Sequence, residues 1–271
     1  MSFIVDPVIQ TGSVKLPSRI IAYGKAGCGK TSFAAYAPNP VFLMTPNEDG
    51  LLTLMDYGSV PESVGHFPMA DTWQRLRAQV QHIIDNDTGY KTLVLDTLNG
   101  AEKLLHEMVC QKQFRGDWEK FLSFGRGIGQ SAPELADFFD DLKRVREQRK
   151  MSIILLAHAK MKRINNPEGD DYDKIIPDVA EASSQVVLRW ADCVLFLNCE
   201  KVVMKTESGK RKAALVGRKI YTCDTAAFDA KNRFGLPAEL EVPEGESSEA
   251  FRVFFDAMRE ARKRKQAVVS E

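Results

Sequence analysis

Five short stretches of the chain are dominated by apolar residues: RIIAY at 19–23, VFLM at 41–44, TLVLD at 92–96, SIILLAH at 152–158 and ADCVLFL at 191–197. Apolar runs this short, without polar alternation, predict strands covered on both faces. Between them the apolar residues recur at helical spacing. Trp73, Leu76, Val80 and Ile83 or Ile84 line one face of a helix that Asp71 is placed to cap. Leu135, Phe138, Leu142 and Val145 line another, behind Ser131-Ala-Pro-Glu134, which has the form of a capping box. Further helices are expected from about Thr31 to the stop at Pro38 and Pro40, after TLVLD through Glu102 to Cys110, and around Phe251, Phe254, Phe255 and Met258.

Other segments lack such periods. Residues 45–70 and 111–130 carry scattered glycine or proline and predict loops, and the polar segment 160–185 predicts a mobile one. Residues 201–223 alternate and turn at Glu207-Ser-Gly-Lys210, which predicts a β-hairpin. The expected class is α/β: a mostly parallel sheet with helices on both faces and a C-terminal β-hairpin extension. Residues 1–240 are expected to form the main domain, and 241–271 a C-terminal helix and basic tail containing Arg259 and Arg262 to Lys265.

The 271 residues are 44% apolar and 27% charged, enough for a real core. The 37 basic and 37 acidic residues cancel, so any nucleic acid must be held by a local basic surface. The five cysteines form no C-x-x-C pair and are odd in number, which argues against a disulfide framework or a zinc site. The opening MSFIVDPVIQ lacks the pattern of a signal peptide, and no apolar run approaches the ~20 residues of a membrane span. A cytoplasmic protein is expected, with no membrane partner.

Gly24-Lys25-Ala26-Gly27-Cys28-Gly29-Lys30-Thr31 fits G-x-x-x-x-G-K-[ST] and stands between a strand and a helix. Glycines let successive backbone N–H groups turn around phosphate oxygens, and the following helix points its positive end at the same anion. Lys30 is expected on the β and γ phosphates, and the Thr31 hydroxyl on magnesium. ATP with Mg2+ is the expected ligand.

Hydrolysis needs more groups. Asp96, ending TLVLD, is the expected second magnesium ligand. Glu48, just past VFLM, can orient the attacking water, with Asp49 as the competing carboxylate. His158 closes SIILLAH where an open α/β sheet meets its ligand. Lys231 and Arg233 would project to the same side of an extended segment, suiting a bridge to phosphate or merely a solvated turn.

The order GKAGCGKTSFAAYAPNPVFLM, NEDG, TLVLDTLNG, IILLAHAK, AKNRFGLP resembles the phage-borne AAA-type ATP-binding proteins with a RecA-like core. That group includes the RecA-like single-strand annealing proteins of phage recombination. The resemblance, over about residues 15–240, implies a RecA-like P-loop NTPase core. It puts Glu48 at the water-activating glutamate, Asp96 at the Walker B aspartate and His158 at the polar sensor. It gives Lys231 and Arg233 the place of the K-x-R pair that such ATPases insert into a neighbour's active site, and so implies a homo-oligomer. The family's acidic turn is often E-G-G, whereas this chain has Glu48-Asp49-Gly50.

The resemblance also implies single-stranded DNA bound by loops, in the cytoplasm of an infected bacterial host. Residues 111–130 interleave Phe114, Trp118, Phe121 and Phe124 with Lys112, Arg115, Lys120 and Arg126, a composition suited to stacking bases and contacting phosphates. Lys160, Lys162 and Arg163 follow directly on His158. The expected activity is a DNA-dependent ATPase that promotes annealing or strand exchange, with a single-strand-binding protein as a further partner. The rival readings are a helicase loader or motor subunit, and a nucleotide-gated protein scaffold.

Overall fold

The structure is a computed structural model that describes residues 16–205 and 211–269, the side chains of 201–216 and 268–269 excepted. The apolar runs form strands β1 (Arg19–Gly24), β2 (Pro40–Met44), β4 (Thr92–Asp96), β5 (Ser152–Ile164) and β7 (Cys193–Lys205), with a two-residue β3 (Gly65–His66) beside β2. These six are parallel, in the order β7–β1–β5–β4–β2–β3. Antiparallel additions are β8 (Arg211–Tyr221) and β10 (Glu239–Val242) beyond β7, β9 (Lys231–Asn232) on β7, and β6 (Tyr172–Pro177) on β5.

Alternate residues of each central strand serve opposite layers. Ile21, Tyr23, Leu93, Leu95, Ile153 and Leu155 meet α3 (Trp73–Asp85), α4 (Leu98–Phe114), α6 (Arg126–Gln148) and α7 (Glu181–Trp190). Ile20, Ala22, Val94, Ile154 and Leu156 meet α1 (Lys30–Ala35), α2 (Gly50–Asp56) and α8 (Glu249–Val269). In that second layer Phe251 and Phe254 pack on Phe33, with ring centroids 5.3 and 5.5 Å away. The result is a mixed α/β fold with a mostly parallel sheet and helices on both faces, consistent with a P-loop NTPase fold.

Several local expectations are corrected. Thr72, not Asp71, caps α3: its hydroxyl accepts from the Arg75 N–H at 3.3 Å, while Asp71 pairs with Arg75. The segment 45–70 contains α2 and β3 rather than only loop. Residues 111–130 are largely helical. α4 runs on to Phe114, α5 (Trp118–Leu122) follows, and a 3-10 turn at Ser123–Gly125 leads into α6. The glycines there mark corners and close packing. A side chain on Gly127 would meet the Phe121 ring at 2.1 Å, so only glycine lets α6 lie on that buried phenylalanine.

Ser131-Ala-Pro-Glu134 is therefore interior to α6 and caps nothing. Ser131 donates to the Gly127 carbonyl at 2.8 Å, and Glu134 accepts from the Trp73 indole and from Arg77, both at 2.8 Å. The segment 160–185 is ordered too. β5 leaves the sheet and folds back as β6, in register from Ala159 opposite Pro177 to Ile164 opposite Tyr172, before α7 begins. Its polar composition reflects a two-stranded ribbon that projects from the parallel sheet and touches the core at its base, through Ala159, Ile175 and Ile176. β7 and β8 pair antiparallel out to Lys205 and Arg211; the turn expected at Glu207–Lys210 lies outside the described residues.

Candidate nucleotide site

The site stands beyond the C-terminal ends of β1, β2 and β4, where β5 leaves the parallel sheet to pair with β6. Gly24 lies level with His158 across β1 and β5, while Asp96 is level with Met44 and Leu156. β1 and β7 approach so closely here that a Cβ on Gly24 would stand 2.3 Å from the Leu197 carbonyl oxygen. Gly29 turns the loop into α1 with φ of 89°, a left-handed conformation that favours glycine. No side chain caps α1, so its first N–H groups are left for an anion. Cys28 turns its thiol inward against Gly24, and burial pushes that thiol's pKa up, so it contributes backbone rather than a reactive sulfur.

Lys30 is only 7% exposed. Its ammonium donates to the carbonyls of Gly24 at 3.1 Å and Lys25 at 3.0 Å rather than to an acid. A buried cation held by neutral carbonyls favours an incoming phosphate. The Thr31 hydroxyl donates to Asp96 Oδ2 at 2.9 Å. Asp96 is 2% exposed, and burial pushes its carboxyl up to about 6, while the Thr31 hydrogen bond works against that and nearby Glu48 adds to it.

An acid so desolvated gains from a nearby cation. A hydroxyl and a carboxylate are hard oxygen donors of the kind magnesium takes. Among the described residues no group of three His, Cys, Asp or Glu side chains could hold a metal by itself. The donor set therefore fits magnesium that Thr31 and Asp96 share with phosphate oxygens and water, and not a protein-only cage.

Glu48 reaches over this pair. Its Oε1 lies 2.8 Å from His158 Nε2 and accepts from the Thr97 hydroxyl at 3.2 Å. An ionised carboxylate only accepts, so in that state Nε2 carries the hydrogen. Asp49 is exposed at the start of α2 and makes no side-chain cap. The geometry thus brings Glu48, and not Asp49, to the site.

Three supporting residues carried no sequence signal. The buried Thr45 hydroxyl donates to the Asp96 carbonyl at 3.2 Å and accepts from the Thr97 N–H at 3.0 Å, tying the ends of β2 and β4 together. Thr97 caps α4 through the Gly100 N–H while donating to Glu48. Asn99 Oδ1 accepts from the His158 N–H at 3.2 Å, fixing the backbone that carries the imidazole at the point where β5, which runs on to Ile164 rather than ending at His158, leaves the parallel sheet. Threonine and asparagine just after a strand read as ordinary helix caps.

Lys231 and Arg233 are not part of this cluster. β9 lies opposite Cys193 and Val194, at the N-terminal end of β7 and so at the far end of the sheet. The Lys231 ammonium donates to the carbonyls of Leu188 at 2.6 Å and Arg189 at 3.3 Å, at the C-terminal end of α7. A cation there answers the negative end of the helix. Arg233 is 54% exposed and stands 3.6 Å from Asp192. The buried Asp192 also receives Arg19 at 2.7 Å and Arg146 at 3.3 Å. Burial alone would push the Asp192 carboxyl up, but the Arg19 hydrogen bonds and the arginine charges hold it below the usual range.

The two cationic segments differ. On the β5–β6 ribbon Lys160 pairs with Asp178, Lys162 with Glu181 and Arg163 with Asp173, so each charge is answered locally. At the α5–α6 elbow Phe121 and Phe114 pack inward, and Lys120 pairs with Asp117. Phe124 instead stands 95% exposed on a backbone with φ of 52°, and the Arg126 guanidinium lies 5.9 Å from its ring. Trp118, also exposed, borders a groove of about 480 Å3 with Asp71, Thr72 and Trp73. Those residues follow β3 at the end of the sheet where the phosphate loop lies, since the Ala70 N–H just before them donates to the Met44 carbonyl at the end of β2.

A family model described as an AAA domain matches residues 16–234. No curated protein matches the chain. Among the described residues no helix is long and apolar enough to cross a membrane.

Proposed function

The chain belongs to the AAA-domain family of nucleotide-binding ATPases, and from that premise we propose that it is an ATPase that works on single-stranded DNA, promoting annealing or strand exchange in phage recombination or repair. The observation that supports hydrolysis is the convergence of Lys30, Thr31, Asp96, Glu48 and His158 at one end of the sheet. Lys30 and the loop N–H groups bind the β and γ phosphates of ATP. Thr31 and Asp96 would hold magnesium, which would supply positive charge to offset the charge of the phosphates. Glu48 orients a water and takes its proton as the water oxygen bonds to the γ phosphorus and the bond to ADP breaks. His158 and Thr97 hold the Glu48 carboxylate in place for that step.

The DNA reading rests on the α5–α6 elbow. An aromatic ring held out to solvent beside a guanidinium suits a base and its phosphate. The β5–β6 ribbon supports it less, because its cations are already paired. A homo-oligomer completes the proposal, with the exposed Arg233 reaching a neighbour's phosphates. Lys231, occupied by the α7 carbonyls, would first have to leave them.

The test is phosphate release at low salt with and without single-stranded DNA. The proposal expects stimulation by DNA and its loss in Arg233→Ala. Hydrolysis indifferent to DNA, with no measurable DNA affinity, would replace it with a nucleotide-gated scaffold.

A further inference from the structure

We propose that Arg218 belongs to the nucleotide site and grips the diphosphate common to ADP and ATP, from the same subunit as the phosphate loop. The inference rests on the ATP reading above and adds a residue that lies outside the motifs.

Its basis is the side of β8 that faces α1. Ile220 on β8 is buried in the layer that holds Phe33, Leu197 and Phe254. Two residues earlier on an alternating strand, Arg218 points to the same face. It lies between Cys199 on β7 and Val242 on β10. Its Nη1 stands 4.0 Å from where a Cβ on Gly29 would be, which puts a guanidinium against the last glycine of the phosphate loop.

The two flanks of the loop differ in chemistry. Asp96, Glu48 and His158 rise from β4, β2 and β5, and they mark where magnesium and the terminal phosphate belong. β7 and β8 lie on the other side of β1. A nucleotide whose terminal phosphate faces the acids extends the rest of itself toward β8, where the Arg218 guanidinium stands beside Gly29.

The guanidinium is also available. Its Nη2 donates to the neutral Pro243 carbonyl at 3.3 Å. Among the described residues no carboxylate lies within salt-bridge distance of it. Glu249, at the start of α8, feels its charge but is paired with Arg252. An arginine presents five donors on a planar fork suited to phosphate, so one weak carbonyl contact leaves most of them for an anion.

The test compares Arg218→Ala and Arg218→Gln with wild type, titrating a fluorescent ADP and a non-hydrolysable ATP analogue, both with magnesium. The glutamine variant retains a donor for Pro243 while removing the charge, so it serves if the alanine variant folds poorly. Both nucleotides should weaken by roughly tenfold, about 1.4 kcal/mol, with their ratio unchanged. Wild-type affinity for ADP in the variants, or weakening confined to the ATP analogue, would overturn the assignment. If wild type and Lys30→Ala alike bind neither nucleotide, the ATP reading falls and this inference with it.

Discussion

Replacing Asp96 by asparagine should stabilise the nucleotide-free protein while removing its response to Mg–ATP. The carboxyl is 2% exposed, and burial lifts it from an ordinary 3.8 to about 6. A folded-state pKa above the unfolded one means that protonation favours the fold. This contribution is fully present below about pH 3.8 and is lost as pH rises through about 6. Two units at ~1.36 kcal/mol each make the ionised carboxylate a cost of about 3 kcal/mol near neutrality. Asparagine avoids that cost, because the Thr31 hydroxyl can rotate to accept from its amide.

For a chain of this size ~3 kcal/mol corresponds to a rise of roughly 6–12 °C in melting temperature. The gap between variant and wild type should shrink to about 1 kcal/mol at about pH 4.5. Thermal melts at both pH values, with and without Mg–ATP, provide the assay. An Asp96→Asn protein no more stable than wild type near neutrality, or a gap that ignores pH, would mean that Asp96 is not a desolvated acid awaiting a cation.

Two further outcomes are expected. Asp192→Asn should cost about 3–5 kcal/mol in urea denaturation, because Arg19 and Arg146 lose the carboxylate they surround. The depressed Asp192 pKa gives stability that is present above the ordinary carboxylate pKa and lost as pH falls through the folded value, so the variant should lose less than wild type on acidification. Phe124→Ala should weaken single-stranded DNA binding by roughly 5- to 100-fold, the worth of one stacked base, while ATP binding measured by thermal shift is retained.

The central strands and the phosphate loop were legible because their signals are local: an unbroken apolar run, then glycines at fixed spacing. The ends of those apolar runs are legible as well, and Glu48, Asp96 and His158, which stand at or just past them, do meet at one end of the sheet. Thr45 and Asn99 could not be found this way, since their roles depend on partners 51 and 59 residues away.

Residues 111–130 misled because glycine serves both loops and tight helix contacts, and only the buried Phe121 ring against Gly127 tells them apart. The β5–β6 ribbon misled for a different reason. Its charges pair across two strands rather than along one, so the segment has the composition of a loop. Lys231 looked free for a neighbour's phosphates because the α7 carbonyls that hold it lie 43 and 42 residues back in the chain.

Phosphate release from Mg–ATP by wild type and Glu48→Gln, measured beside the binding of the same nucleotide, tests the catalytic cluster most directly. The variant should bind ATP as tightly as wild type and hydrolyse it at least about a hundredfold more slowly, the usual contribution of a positioned general base. Hydrolysis at the wild-type rate by Glu48→Gln would contradict that expectation and take Glu48 out of the reaction.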